Sequence, residues 1–371
     1  MTFKHILTKN IFIAEMLAVV AIGSLSAANA AELTIVSWGG AYTKAQTNAY
    51  HQPYVNKTGI QVISDDSAAE AVAKLRAMNE AGNVTWDIVD VVASDAIRLC
   101  DEGLAVEFNA DEDFAAGADG TPASDDFGDL LITECGVPLM VYSTTFGYRN
   151  DMVGDTPPSN ICDVFDLKKY PGKRALEKRP INNVEWALLC DGVAKEDLYD
   201  VLETPEGIDR ALAKLDTIKD HVVWWSAAAE VPQLLADGEV VIGSTYNGRL
   251  FSAIEEQKQP ISMLWDAQVF DFSSFIIPTG LPKDRLDRAK NYIRFATTSQ
   301  RLADLSKYIS YGPARKSSAA LVSKHATLGI DMAKHMPTNP DNAKSALLYN
   351  YEFWADYRDD IDEKFQVWLS K

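Results

Sequence analysis

The sequence predicts an α/β fold with a mainly parallel sheet, divided into two lobes. Short, evenly apolar runs read as buried strands and alternate with helical patterns. The alternation appears in the first part of the chain and again in the middle. No low-complexity linker separates the halves, which points to strands that cross between lobes as a hinge and let them close on a ligand in a cleft.

The elements follow in order. Residues 33–38 (LTIVSW) form a buried strand that Gly39-Gly40 breaks. Residues 42–57 carry a helical pattern, and 60–63 a second strand. Residues 67–79 read as a helix with Ser67 or Asp66 as its cap. A third strand covers 87–93 and ends at Ala93; a short helix over 95–102 is closed by Gly103. In the middle, 139–143 and 146–150 read as two strands. A helix over 207–217 starts after Thr204-Pro205-Glu206, a good start signal. Strands follow at 222–225, 239–246 and 270–278, the last returning to the first lobe, with a helix at 231–237 that stops at Gly238. Helices close the chain at 286–296, 300–309 and 349–369, the last with Trp354 and Trp368 on its packing face.

Residues 1–30 say where the rest works. Lys4 and Lys9 make a basic start, 17–25 is a short apolar run, and Ala28-Asn29-Ala30 offers the small-x-small pattern of signal peptidase cleavage. Glu15 is a blemish. A membrane anchor is disfavoured because a span needs roughly 20 apolar residues. The expectation is export with cleavage near Ala30. The remaining 341 residues are enough for two domains. Net charge is −18, and −19 without the leader, which argues against nucleic acid or an anionic membrane face and fits a freely diffusing protein.

Cys100, Cys135, Cys162 and Cys190 form no C-x-x-C pair and have no His at ligand spacing, so no zinc site is expected. An even count in an oxidising compartment points to disulfides. Three pairings satisfy the count; Cys100–Cys135 and Cys162–Cys190 are preferred, with buried free thiols as the alternative. The nucleophile elbow, H-E-x-x-H, the phosphate loop and the dinucleotide fingerprint are all missing, so neither catalysis nor a cofactor is expected.

Several stretches taken together carry a resemblance: 33–38, Tyr42, 57–62 (KTGIQV), 86–89 (WDIV), 101–104 (DEGL), 234–240 (LLADGEV), 246–249 (YNGR), 272–278 (FSSFIIP) and 311–313 (YGP). Their order resembles the periplasmic spermidine/putrescine-binding proteins of ABC importers, over nearly the whole mature chain. The resemblance implies a type II periplasmic binding fold, no catalysis, a monomer, and docking on a membrane permease. It divides the chain into lobe 1 (31–141 and 266–312) and lobe 2 (142–265 and 313–371).

In that family aromatic rings box an alkylammonium chain and acidic groups fix its ends. The matching aromatics here are Trp38, Tyr42, Tyr246 and Tyr311. Electron-rich ring faces suit a cation, and Gly39 and Gly40 let backbone approach a ligand. The departures are as informative: Arg249 and Ser273 stand where family aspartates would sit, and Gly39-Gly40 replaces a further acid. A guanidinium suits a carboxylate, sulfonate or phosphate. The expected ligand is therefore a zwitterion, an ω-amino acid or opine-like conjugate, with its acid on Arg249. Glu185, beside Trp186, is the expected acidic contact for the amine, with Ala93, Trp225 and Ser226 as further wall. A polyamine receptor and an exported hydrolase are the alternatives. For Arg249 the structural alternative is an ion pair with Asp266 or Asp271.

Overall fold

The computed structural model describes residues 31–371; the expected leader and its cleavage point lie outside the described residues. Ten strands form one sheet. They are β1 (Glu32–Val36), β2 (Gln61–Asp65), β3 (Ile88–Val92), β4 (Val137–Arg149), β5 (Arg174–Glu177), β6 (Val222–Trp225), β7 (Ile242–Tyr246), β8 (Ile261–Ile276), β9 (Gly312–Pro313) and β10 (Leu347–Leu348). The order is β2-β1-β3-β8-β4-β7-β5-β6, with β9 on β4 and β10 on β8. The β1–β2, β1–β3, β5–β6 and β5–β7 pairs are parallel, whereas β3–β8, β4–β8 and β4–β7 are antiparallel. Parallel pairs need helical crossovers that cover both faces, which explains the near-continuous apolar runs of β1 and β3.

The two long strands join the halves. They pair from Val137 opposite Phe275 to Arg149 opposite Ile261. Midway the register breaks between Thr144 and Phe146. There β8 carries extra residues, including Ala267 at φ 51°. The bulge is anchored: Asp266 accepts from the Ile161 N–H at 2.8 Å, and the Gln268 amide donates to the Pro337 and Asn342 carbonyls. One apolar core packs around β1, Phe275 and the helix Lys283–Ala296, and another around Phe146, Trp186 and the C-terminal helix Tyr351–Leu369.

That last helix buries Trp354 and Trp368 as expected. It also reaches the first half, where Arg358 pairs with Asp95 and Arg98 with Asp359. Pro313 pairs with Met140 on β4, so the C-terminal stretch touches both cores.

Three local expectations are corrected. The strands read at 139–143 and 146–150 are one strand, β4, because Thr144 and Thr145 stay in the ladder against β7. The strand read at 270–278 is the second part of β8. Neither Ser67 nor Asp66 caps the helix that follows; Asp65 accepts from the Ser67 N–H at 3.0 Å instead. Thr204 does cap Pro205–Asp216 by accepting from the Gly207 N–H. Cys100–Cys135 and Cys162–Cys190 are the two disulfides. Among the described residues no helix is long and apolar enough to cross a membrane.

Candidate functional site

Strand ends build the site. After β1 the chain turns through Gly39 and Gly40, at φ 72° and 60°, a conformation that costs a side chain about 1–2 kcal/mol. The turn presents the Trp38 and Gly39 carbonyls to the opposite half. β7 ends at Tyr246, and the helix Asn247–Phe251 starts there and carries Arg249. The Arg249 guanidinium donates to the Trp38 carbonyl at 2.9 Å and to the Gly39 carbonyl at 3.3 Å. A Cβ on Gly40 would lie 2.7 Å from its Nη1, so the glycine makes room for the guanidinium. Asn247 fixes the start of this helix by donating to the Ser310 carbonyl at 2.6 Å and accepting from the Ser143 N–H at 3.0 Å.

Arg249 is 4 % exposed, and no carboxylate lies within ion-pair distance of it among the described residues. Its Nε has no hydrogen-bond partner among the described residues. The two structural alternatives fail, because Asp266 is held by the Ile161 N–H and Asp271 accepts from the Tyr142 hydroxyl at 2.7 Å. A buried, uncompensated guanidinium is costly unless an anion joins it.

Beside it stands the aromatic box. Trp38, Tyr42, Tyr142, Tyr246 and Tyr311 line a narrow space of about 20 Å³ with Arg249 and Ser273. Tyr42 meets Tyr311 edge-on at 5.6 Å, Tyr142 meets Tyr246 at 5.2 Å, and the Arg249 guanidinium carbon lies 5.9 Å from the Tyr246 ring centre. The box adjoins a cavity of about 410 Å³, lined by Trp38, Gly39, Gly40, Trp225, Ser226, Tyr246 and Arg249 together with Asp66, Glu177 and Arg179.

Asp90, fully buried on β3, organises the rings. It accepts from the Trp38 indole at 3.0 Å, the Tyr42 hydroxyl at 2.7 Å and the Gln46 amide at 2.7 Å, and from the Ser273 hydroxyl. Burial pushes its pKa up to about 6 against the opposing pull of those donors. Ser273 therefore works within the wall, as a donor to Asp90.

Three residues expected at the site stand elsewhere. Glu185 and Trp186 belong to the helix Asn183–Cys190, whose apolar side is core. The Trp186 indole is spent on the Ala267 carbonyl at 2.9 Å. Glu185 accepts from the Trp354 indole at 2.8 Å and lines another cavity of about 770 Å³, beside Phe270, Phe272 and Leu347. Burial raises its pKa to about 7. Arg249 does not line that larger space; Asp271, which accepts from the Tyr142 hydroxyl, stands between it and the rings. Ala93 opens the helix Ala93–Asp101 inside the core, and its neighbour Val92 is the one that reaches the box.

Sequence reading missed Asp90, Tyr142, Glu177 and Arg179. Asp90 interrupts an otherwise apolar strand, which was its available signal. Arg179 donates through Nε (2.8 Å) and Nη2 to Glu177 Oε1. Burial alone would lower the Arg179 pKa, but Glu177 outweighs burial and raises it, so the guanidinium stays charged.

Comparison with known proteins places the chain in a family. Residues 49–338 match the family described as bacterial extracellular solute-binding protein. A gamma-aminobutyric acid-binding protein of Pseudomonas aeruginosa is 35% identical over 351 residues, covering 95% of this chain and 94% of the relative. The crystal structure of MotA from A. tumefaciens B6, in complex with glucopine, is 27% identical with a TM-score of 0.80, covering 91% of this chain and 99% of that one. A spermidine/putrescine-binding protein from Streptococcus pneumoniae, 18% identical with a TM-score of 0.65 over 91% of this chain and 99% of its own, shares the fold. The family match over residues 49–338 and the 35%-identical relative together show that the chain belongs to the bacterial extracellular solute-binding protein family.

Proposed function

We propose that this chain is the periplasmic receptor of an ABC importer, freed of its leader near Ala30, and that it delivers a small amine-containing zwitterion to a membrane permease as a monomer. The carboxylate, or an equivalent acid, takes the unused N–H groups of Arg249. The ammonium end lies against the rings, where each face contributes roughly 0.5–2 kcal/mol of cation–π attraction. Asp66 supplies negative charge along the same cavity in place of Glu185, while Glu177 is paired with Arg179. The observation that carries this reading is a guanidinium buried in the cleft with no carboxylate beside it. The relatives that bind gamma-aminobutyric acid and glucopine support it, since both solutes join a carboxylate to an amine.

The test is titration calorimetry of the wild type and Arg249→Gln with 4-aminobutanoate and with putrescine. A charge-assisted hydrogen bond is worth about 1.5–3 kcal/mol, so the variant should lose roughly 10- to 100-fold in affinity for the amino acid. Putrescine should bind the wild type far more weakly. Tight putrescine binding that Arg249→Gln leaves unchanged would make the chain a diamine receptor.

A further inference from the structure

The 410 Å³ cavity holds more than a short ω-amino acid requires, and its inner charge is unbalanced. Of the charged residues lining it, the exposed Asp66 and Lys178 offset one another, and the remaining two guanidiniums, Arg179 and Arg249, face one carboxylate, Glu177. Glu177 neutralises Arg179 through a single oxygen, leaving Arg249 uncompensated. A zwitterion of zero net charge fills the site without balancing it. A solute with two acids and one amine does balance it.

The second acid has a place to bind. The Arg179 side chain is 26% exposed and lines the cavity, and its Nη1 makes no hydrogen bond among the described residues. Trp225 packs along the same wall and is 1 % exposed. A guanidinium edge open to the cavity donates to an anionic oxygen of a ligand in a charge-assisted hydrogen bond. Resting on the reading of Arg249 above, we infer that the solute is an amino diacid: an amine joined to two carboxylates, one on Arg249 and the second on the free edge of Arg179.

Glu177 sets how much of Arg179 the second carboxylate can use. It holds the Nε side of the guanidinium and leaves the Nη1 side to the ligand. Arg179 thereby separates amino diacids from amino monoacids, while Arg249 serves both.

The test uses the mature chain and two probes, 4-aminobutanoate and its N-carboxymethyl derivative, titrated against the wild type, Arg249→Gln, Arg179→Gln and Glu177→Gln. The wild type should bind the diacid about 10-fold or more tightly than the monoacid. Arg179→Gln should erase that preference by weakening the diacid about 10-fold, with less than about a threefold change for the monoacid. Glu177→Gln frees the guanidinium and should strengthen the diacid; it keeps the inference testable if Arg179→Gln fails to fold. Equal affinity of the wild type for both probes, an equal loss of both in Arg179→Gln, or weaker diacid binding in Glu177→Gln would overturn the second acid. Undiminished binding of both probes by Arg249→Gln would instead overturn the Arg249 reading on which it rests.

Discussion

Glu185 shows how one burial decides a residue's chemistry. Its carboxyl sits under Trp354 and Tyr199, and desolvation lifts its pKa from the usual 4.5 to about 7. Between those two values the folded protein binds more protons at this position than the unfolded chain does. The contribution to stability is therefore complete below about pH 4.5 and is lost as pH rises through 7. Glu185→Gln keeps the acceptor for the Trp354 indole and removes the titration. Urea denaturation across pH 4 to 8 should show the variant gaining on the wild type as pH rises, by up to about 3 kcal/mol. A gap that stays constant or narrows with pH would contradict a buried, titrating Glu185. Sequence reading placed this glutamate at the ligand because it neighbours Trp186, but adjacent residues on a helix face different ways and adjacency carries no shared direction. Arg249 was legible as a departure, a guanidinium where the resemblance implies an aspartate, and the fold leaves it one helical turn after the aromatic end of β7, beside the tyrosine.

At the scale of elements, the turn between β1 and the helix Gly40–Gln46 aligns the two halves of the site. Its double positive φ frees the Trp38 and Gly39 carbonyls to meet Arg249, and the missing Cβ of Gly40 leaves space for Nη1. Gly40→Ala should lower stability by about 1–2 kcal/mol from backbone strain alone. It should also weaken solute binding by displacing the guanidinium. Chemical denaturation and calorimetry on the same sample check both; unchanged binding would show that Arg249 does not need this turn. The strands and helices with one clear period were legible, because a buried strand or an amphipathic helix announces itself in its own residues. β4 and β8 were legible only in pieces. Each crosses from one core to the other, so its burial pattern changes partway and the bulge near Ala267 breaks its alternation. The short β5 stayed hidden because Arg174 and Glu177 bracket two apolar residues, too few for a pattern.

Across the whole molecule, one sheet holds the site together. Trp38, Tyr42 and Asp90 come from the β1–β3 side, and Tyr246, Arg249, Glu177 and Arg179 from the β7–β5 side, with β4 and β8 running through both. The Arg249 bonds to Trp38 and Gly39 span these two sides, so the residue proposed to receive an anion is also a tie between them. In a protein of net charge −18 this cavity gathers Lys178, Arg179 and Arg249 against Asp66 and Glu177, a local positive excess that favours an anionic group. The most direct test is a crystal structure of the mature chain grown with 4-aminobutanoate. The ligand carboxylate should lie about 2.7–3.2 Å from the Arg249 guanidinium, with the ammonium against the tyrosine faces. A carboxylate bound elsewhere, with Arg249 still spent only on the Trp38 and Gly39 carbonyls, would contradict it.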